Sequence, residues 1–386
     1  MAYIYGRLYN EFLAGADGYD VIYGDAIHGP GGIETSINST VCSDDIIEGR
    51  GGADQLVGDG THLIGTAIGG NDNIYGDLAS GANSGIDGAD TLYGDALIMR
   101  DKSVGGSDYI SGAAGNDTIF GDAYLMANDS RGGNERNLVG GDGWDNIYGD
   151  AYNMIDAAIG GNDTINGSAG HDSLYGDAYS MTGTTRAGND SIFGGDDADF
   201  IFGDTFTATN AVRFGDDRLY GGNGNDVIYG DLSSVAADAP GGNDLLNGEN
   251  GDDILYGNGG DDVLNGGSGN DYLVGGAGYD RLNGGTGRDV LRGGNGPDDF
   301  VFAPGGGEDF ILDFRTSDAE LIDLRAYNLT VADLKVIISQ ATESTTPSGI
   351  DNVPSGQTEL DLHLGTDTIH LVGLRLGELN MFDFVI

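Results

Sequence analysis

Aspartate recurs every nine residues in the most regular part of the chain, and this spacing indicates the chemistry. Between Gly241 and Val301 the repeated residues are Asp244, Asp253, Asp262, Asp271, Asp280, Asp289 and Asp298. Two residues after each is one large apolar residue, a leucine in six cases and finally Phe300. Carboxylates in such a regular array are suited to holding hard cations, which take oxygen ligands.

The elements that position these carboxylates follow from the same period. A nine-residue unit has room for one short strand and one glycine-rich turn, and it cannot bury its leucine alone. Copies must therefore stack into a solenoid. The stretch resembles the Gly-Gly-x-Gly-x-Asp-x-hydrophobic-x repeats of RTX (haemolysin-type) calcium-binding proteins. This resemblance implies a right-handed parallel β-roll in which Asp carboxylates and turn carbonyls of adjacent coils bind Ca²⁺.

The same frame extends towards the start of the chain as two columns of positions, which we call the slots. Of 23 slots, 21 hold aspartate. The first column has Glu11, Asp45, Asp72, Asp108, Arg136, Asp163, Asp190, Asp217, Asp244, Asp262, Asp280 and Asp298. The second column has Asp20, Asp54, Asp90, Asp117, Asp145, Asp172, Asp199, Asp226, Asp253, Asp271 and Asp289. We interpret these aspartates as calcium ligands, about twenty ions in all, as the resemblance implies.

A simpler interpretation is that the slot aspartates only accept hydrogen bonds from turn amides. We disfavour it because isolated turn positions would tolerate Asn or Ser, and the slots contain neither. Glu11 and Arg136 depart from the pattern, and Arg136 is expected to replace an ion with its own positive charge.

Upstream of residue 240 many coils carry an insert of nine or more residues after the second-column strand. Several inserts begin Ala-aromatic-x-Met, as in Ala123–Met126, which predicts a further short strand. A Gly-Asp pair precedes every enlarged gap, at Asp25, Asp59, Asp77, Asp95, Asp122, Asp150, Asp177, Asp204 and Asp231. These acids are interpreted as replacement calcium ligands, and the alternative is that they cap a wider turn.

An aromatic row follows the apolar residues of the second column. It comprises Tyr23, Tyr93, Phe120, Tyr148, Tyr175, Phe202, Tyr229 and Tyr256, and is interrupted by Val57. The row should face away from the Ile/Leu core, because successive side chains of a strand alternate. It is either an exposed platform for sugar stacking or a second small core beneath the inserts, and the second reading is preferred because the row ends where the inserts end.

The repeat stops near Asp299. Strand-like segments such as Phe300–Phe302 and Ile369–Leu371 follow, with a short helix near Val331–Ile338 and a polar loop over Gln340–Gln357. This region, including the terminal Asp383–Ile386, resembles the C-terminal domain of serralysin-type proteases and other type I secreted proteins. The resemblance implies a capping domain and an interaction with the type I secretion apparatus.

We therefore expect an all-β protein: a parallel β-roll solenoid with wide coils over 1–240, a narrow nonapeptide roll over 241–301, and a β-rich capping and secretion domain over 302–386. The formal net charge is −47, which excludes nucleic acid as a natural partner and disfavours anionic membranes. Lone Cys42 excludes an intrachain disulfide framework. The sequence has no apolar run of membrane-spanning length, and the N-terminal segment lacks a Sec-type signal.

No catalytic signature is present: the five histidines form no HExxH motif and no serine lies in a GxSxG frame. The expected function is that of a secreted, non-enzymatic calcium-binding protein that folds on Ca²⁺ binding outside the cell. An uncapped first coil, Met1–Leu8, would leave a sheet edge that can template another chain. We therefore expect self-assembly into a surface layer, matrix or fibre, and the rival is a non-catalytic adhesion module that binds polysaccharide.

Overall fold

The computed structural model describes residues 3–6, 11–15, 18–24, 27–29, 32–34, 36–38, 41–77, 88–233, 241–345, 352, 355–375 and 377–386. The chain forms two compact units, which are Met1–Arg218 with Leu232–Ser234 and Leu219–Asp231 with Val235–Ile386. Both consist mainly of short parallel strands, so the predicted all-β solenoid is confirmed.

The first unit has wide coils with up to three strands per turn. Strands of the first column are Phe12–Ala14, Ile46–Glu48, Asn73–Tyr75, Tyr109–Ala114, Asn137–Asp142, Thr164–Ala169 and Ser191–Asp196. Strands of the second column are Tyr3–Tyr5, Val21–Tyr23, Gln55–Val57, Thr91–Tyr93, Thr118–Phe120, Asn146–Tyr148, Ser173–Tyr175 and Phe200–Phe202. Insert strands are Ser36–Asn38, Gly60–Ile64, Ala96–Met99, Ala123–Met126, Ala151–Met154, Ala178–Gly183 and Thr205–Asn210, and Ile27–Gly29 pairs antiparallel with Gly32–Glu34.

The repeat period sets the register of these sheets. Each apolar residue two places after a slot pairs with its equivalent in the next coil, as Leu56 does with Leu92 and Leu92 with Ile119. All three side chains are fully buried. Each column therefore has a ladder of Ile and Leu that runs from coil to coil, and these ladders form the core. The slot aspartates lie at the starts of the strands.

The inserts build a second core of their own. Their strands turn Ala and Met inward, and Met126, Met154 and Met181 stack without solvent exposure. Burial of this cluster stabilises the inserts against the rest of the wide coils.

The second unit has two strands per coil and then a closing region. First-column strands are Arg218–Asn223, Leu245–Asn250, Val263–Ser268, Arg281–Thr286, Asp299–Val301, Leu321–Asp323 and Phe384–Val385. The other sheet contains Val227–Tyr229, Ile254–Gly259, Tyr272–Ala277, Val290–Asn295, Glu308–Ile311, Asp367–Val372, Thr358–Leu364 and Thr342–Thr345, in that order across the sheet. The last two neighbouring pairs are antiparallel, and they end the parallel stack.

The predicted helix spans Val331–Gln340, and it begins at a capping box in which Thr330 and Asp333 exchange hydrogen bonds. Short 3₁₀ helices cover Arg325–Tyr327 and Met381–Asp383. The expected loop over Gln340–Gln357 is wrong in part, because Thr342–Thr345 pairs with Thr358–Leu364 as a polar edge strand. Within the described residues, no helix is long and apolar enough to cross a membrane.

Candidate calcium sites

Each slot aspartate lies at the start of a strand and is buried. Asp253 and Asp271, for example, are 1% and 2% exposed. The backbone N–H of Asp253 donates to Oδ1 of Asp271 at 2.8 Å, and that of Asp271 donates to Oδ1 of Asp289 at 3.0 Å. One oxygen of each carboxylate is therefore occupied by the coil before it, as the turn-amide interpretation requires.

This bond repeats along both columns in each unit. In the first unit it joins Glu11 to Asp45, Asp45 to Asp72, Asp72 to Asp108, Asp163 to Asp190 and Asp190 to Asp217, and in the second column Asp20 to Asp54, Asp54 to Asp90, Asp90 to Asp117, Asp117 to Asp145, Asp145 to Asp172 and Asp172 to Asp199. In the second unit it joins Asp226 to Asp253, Asp244 to Asp262, Asp262 to Asp280 and Asp280 to Asp298.

The second carboxylate oxygen, Oδ2, is what distinguishes a ligand from a turn cap. This atom is buried and has no hydrogen-bond partner among the described residues in Asp54, Asp72, Asp90, Asp108, Asp117, Asp145, Asp172, Asp190, Asp253, Asp271, Asp280, Asp289 and Asp298. A buried charge without a partner costs several kcal/mol or more. Columns of such oxygens must therefore be neutralised, either by bound cations or by protons.

A glycine in each turn keeps the space beside Oδ2 open. A methyl group added to Gly266 would lie 2.3 Å from Oδ2 of Asp271 and 2.5 Å from the carbonyl oxygen of Gly284, one coil further on. The turns at Gly248 and Gly257 have the same geometry, with the added carbon 2.3 to 2.4 Å from the carboxylate. A carboxylate oxygen and a carbonyl oxygen of the next coil thus converge on one small space, and both are preferred calcium ligands.

The Gly-Asp acids of the wide coils lie at the turn that precedes each insert strand. Oδ1 of Asp122 accepts the backbone N–H of Gly133 at 2.9 Å, and Asp150 and Asp177 accept equivalent bonds from glycines eleven residues later. The same contact is made by Asp59, Asp77, Asp95, Asp204 and Asp231. Capping of the wider turn by these acids is therefore observed, whereas their calcium role stays a prediction. Asp25 lies outside the described residues.

The assignment of Arg136 to a slot is wrong. The N–H of Glu135, not of Arg136, donates to Oδ1 of Asp163, at 2.9 Å. Glu135 is buried and Arg136 is exposed, because one extra residue separates this slot from buried Leu138. The signal was present in the sequence, since Gly133-Asn-Glu135 matches the Gly-Asn-Asp that precedes neighbouring strands.

Glu135 completes the most concentrated carboxylate cluster in the described part of the wide coils. One oxygen each from Asp122, Glu135 and Asp150 lie within 4.8 Å of one another, and all three residues are buried. Burial, and then the neighbouring carboxylates, raise the pKa of Glu135 well above its usual range. This trio, which joins a slot to two Gly-Asp acids, is the strongest support for a calcium role of the Gly-Asp acids.

Two more acids continue the columns beyond the predicted repeats. Asp309 accepts the N–H of Asp289 at 3.1 Å, and Glu320 precedes a strand that pairs in register with the first column. Burial, followed by nearby carboxylates, raises the pKa of both groups to about 8. Asp309 and Glu320 are each followed two places later by a buried apolar residue, Ile311 and Ile322, as the slot aspartates are. Neither acid lies nine residues after a slot, so counting in steps of nine did not find them.

Many of the slot aspartates have raised pKa values. Burial is the largest cause, and it raises the pKa of Asp253 to about 7 and those of Asp271 and Asp280 to about 8. The next carboxylate in the column raises them further, while the N–H bond to Oδ1 opposes the shift. Protons and divalent cations therefore compete for these columns near neutral pH.

The middle of the aromatic row is buried, which favours packing over an exposed platform. Phe120, Tyr148 and Tyr175 stack face to face at 5.1 and 4.8 Å and are at most 7% exposed. They are not part of the Ala and Met core of the inserts. Instead they pack edge to face against a second stacked row on the insert strands, Tyr124, Tyr152, Tyr179 and Phe206.

Comparison with known families agrees with this geometry. The RTX calcium-binding nonapeptide repeat matches residues 5–26, 43–61, 104–123, 159–178, 182–207, 213–233, 241–273 and 265–300. The chain thus contains RTX calcium-binding nonapeptide repeats, a structural kind of repeat that occurs in secreted proteins. A comparison with curated proteins gives no match.

Proposed function

We propose that this protein is a secreted structural protein that folds when its carboxylate columns bind Ca²⁺ outside the cell. The observation that carries the proposal is the column of buried Oδ2 atoms beside open glycine turns. Charged carboxylates about 4.8 Å apart repel by roughly 3 kcal/mol per pair at an effective dielectric of ~20. Folding and calcium binding are therefore one process in this proposal.

Calcium supplies the energy that the thin core lacks. Extracellular-type sites bind with dissociation constants of ~10⁻⁴–10⁻³ M, which corresponds to about 4–5 kcal/mol each at standard state. Cytosolic Ca²⁺ is far below this range, so the chain would stay unfolded until export. We propose about twenty ions, held by the slot aspartates, by Glu135, Asp309 and Glu320, and by the insert acids.

Two adjacent aspartates provide a matched test of the slot assignment. Asp253 is buried in a slot, whereas Asp252 is exposed and accepts an N–H bond from Asn270 at the rim of the roll. Asp253→Asn and Asp252→Asn change the net charge equally. Equilibrium dialysis with elemental analysis should find about one Ca²⁺ fewer per chain in Asp253→Asn only. Equal calcium content in both variants would contradict the assignment.

We further propose that the folded protein self-assembles through the edge of its first coils. Phe12–Ala14 is the outermost described strand of its sheet, and Tyr3 and Phe12 are 58% and 57% exposed. An edge strand with exposed aromatic residues is a template for pairing with another chain. The stacked rows of tyrosine support this structural role over polysaccharide binding, because neighbouring rings cover the faces on which a sugar would stack.

Electron microscopy after calcium addition tests self-assembly. Phe12→Lys places a charge on the edge strand, and Phe200→Lys places one directly after a second-column slot, also at an exposed side chain, in an inner coil. We expect ordered polymers from the wild type and from Phe200→Lys, and monomers from Phe12→Lys. Monodisperse wild-type protein, or polymers from all three chains, would refute the edge mechanism.

Residues 302–386 are proposed to cap the solenoid and to carry the type I secretion signal. The capping part is supported by the antiparallel strands that end the sheet and by Phe384–Val385, which pairs with Leu321–Asp323. Fusion of these residues to a reporter in a strain with a type I exporter should give export, which the same fusion without 302–386 should lack.

We propose no enzymatic role. The acids of each column have equivalent surroundings, so none of them is set apart as a general acid or base.

A further inference from the structure

The closing region brings a histidine and three acids together. Thr358–Leu364 pairs antiparallel with Asp367–Val372, which places Asp361 directly opposite His370. Glu359 precedes Asp361 by two residues and so shares its face of the sheet. The parallel neighbour Glu308–Ile311 contributes Glu308 and Phe310 beside His370.

The distances within this cluster are those of a potential ligand set. Nδ1 of His370 lies 3.0 Å from Oδ1 of Asp361 and 3.5 Å from Oε1 of Glu359. Its Nε2 lies 3.4 Å from Oε1 of Glu308. One ligand atom each from Glu359, Asp361 and His370 fall within 4.8 Å of one another.

The cluster is buried and incompletely satisfied. Glu359 is 2% exposed, and its Oε2 has no hydrogen-bond partner in the described part of the chain, while Oε1 accepts a 2.6 Å bond from the hydroxyl of Ser344. The ring of His370 stacks flat on Phe310, with centroids 4.4 Å apart and planes 10° apart, which fixes the direction of both ring nitrogens. Arg288 pairs with Glu308, and a single imidazolium cannot neutralise both Glu359 and Asp361.

We propose that Glu359, Asp361 and His370 bind one divalent transition metal, Zn²⁺ foremost, at a site chemically distinct from the calcium sites. An imidazole nitrogen with carboxylate oxygens suits Zn²⁺, whereas Ca²⁺ takes oxygen ligands only. The bound dication supplies the positive charge that balances these carboxylates. Because the three ligands come from two strands of one hairpin, the bound metal would fasten the end of the sheet.

The test uses the full-length protein saturated with calcium, so that the repeat sites are occupied. Zinc chloride is added, and bound zinc is counted by equilibrium dialysis and elemental analysis. Co²⁺ in place of zinc gives visible ligand-field bands that report nitrogen ligation. His370→Gln removes the ligand nitrogen, and His363→Gln is the matched control because His363 is exposed and lies two residues beyond Asp361 on the same face.

We expect one tightly bound Zn²⁺ in the wild type and in His363→Gln. His370→Gln should weaken binding at least about 10–100-fold and abolish the Co²⁺ bands, since loss of even an outer-shell partner has an effect of that size. Glu359→Gln should weaken zinc binding as well, and it serves if His370→Gln fails to fold in calcium. Absence of tight zinc binding in the wild type, or unchanged affinity in a folded His370→Gln protein, would overturn the proposal.

Discussion

Replacement of Gly266 with alanine separates the calcium-dependent stability of one corner of the roll from ordinary packing. The added methyl carbon would lie 2.3 Å from Oδ2 of Asp271, against an ordinary contact distance of 3.4 Å or more. The two coils must therefore open by about 1 Å, which overpacks the turn at a cost of roughly 1–3 kcal/mol. Loss of the ion removes about 2.7 kcal/mol more at a free Ca²⁺ concentration 100 times the dissociation constant.

Urea unfolding followed by circular dichroism at several calcium concentrations measures both parts. The free energy of unfolding should fall by about 4–6 kcal/mol at high calcium, from the overpacking and ion terms together. Its slope against the logarithm of free calcium counts the ions released on unfolding, and Gly266→Ala should lower that count by at least one. Ser268→Ala is the control, because Ser268 is an exposed residue of the same strand and the substitution adds no atom beside Asp271. An unchanged slope in Gly266→Ala would refute the reasoning.

Three further predictions concern other parts of the solenoid. Glu135→Gln should raise the calcium concentration needed for folding, whereas Arg136→Gln, at an exposed side chain, should change stability by less than about 0.5 kcal/mol in urea unfolding; equal effects would contradict the corrected slot. In calcium-free buffer the folded form holds protons that the unfolded chain releases, because burial and neighbouring acids raise the pKa of Asp271 to about 8 from an ordinary ~3.9. Acidification from pH 8 to pH 5 should therefore increase the dichroism of the β form without calcium, and no gain would count against buried slots. Tyr148→Ala should cost about 3–5 kcal/mol in saturating calcium because it removes a buried ring from the middle of a stack, while Trp144→Ala, at an exposed ring, should cost less than about 1 kcal/mol.

The local period made most of the solenoid predictable from sequence. An aspartate followed two places later by Ile or Leu specifies a strand start and an inward side chain at once. In the described coils, insert strands follow the Gly-Asp pairs at Asp59, Asp95, Asp122, Asp150, Asp177 and Asp204, as predicted. Asp122 and its equivalents accept a hydrogen bond from the backbone N–H that closes the wider turn.

The errors arose where the period alone no longer decides the structure. One extra residue beside Glu135 shifted the carboxylate by one place, and a frame counted in steps of nine assigned Arg136 instead. The pairing of Asp361 with His370 depends on the register of an antiparallel hairpin, which no nonapeptide pattern encodes. The Met and Ala core of the inserts was missed because their stacking becomes evident only when all coils are aligned.

The direct test of the account is a calcium titration of purified, metal-stripped protein followed by far-ultraviolet circular dichroism. We predict a disordered spectrum in EGTA and a cooperative change to a β-sheet spectrum at ~10⁻⁴–10⁻³ M free Ca²⁺. Chelation should reverse the change. A chain that is fully folded in EGTA, with a spectrum insensitive to added calcium, would contradict the claim that calcium completes this fold.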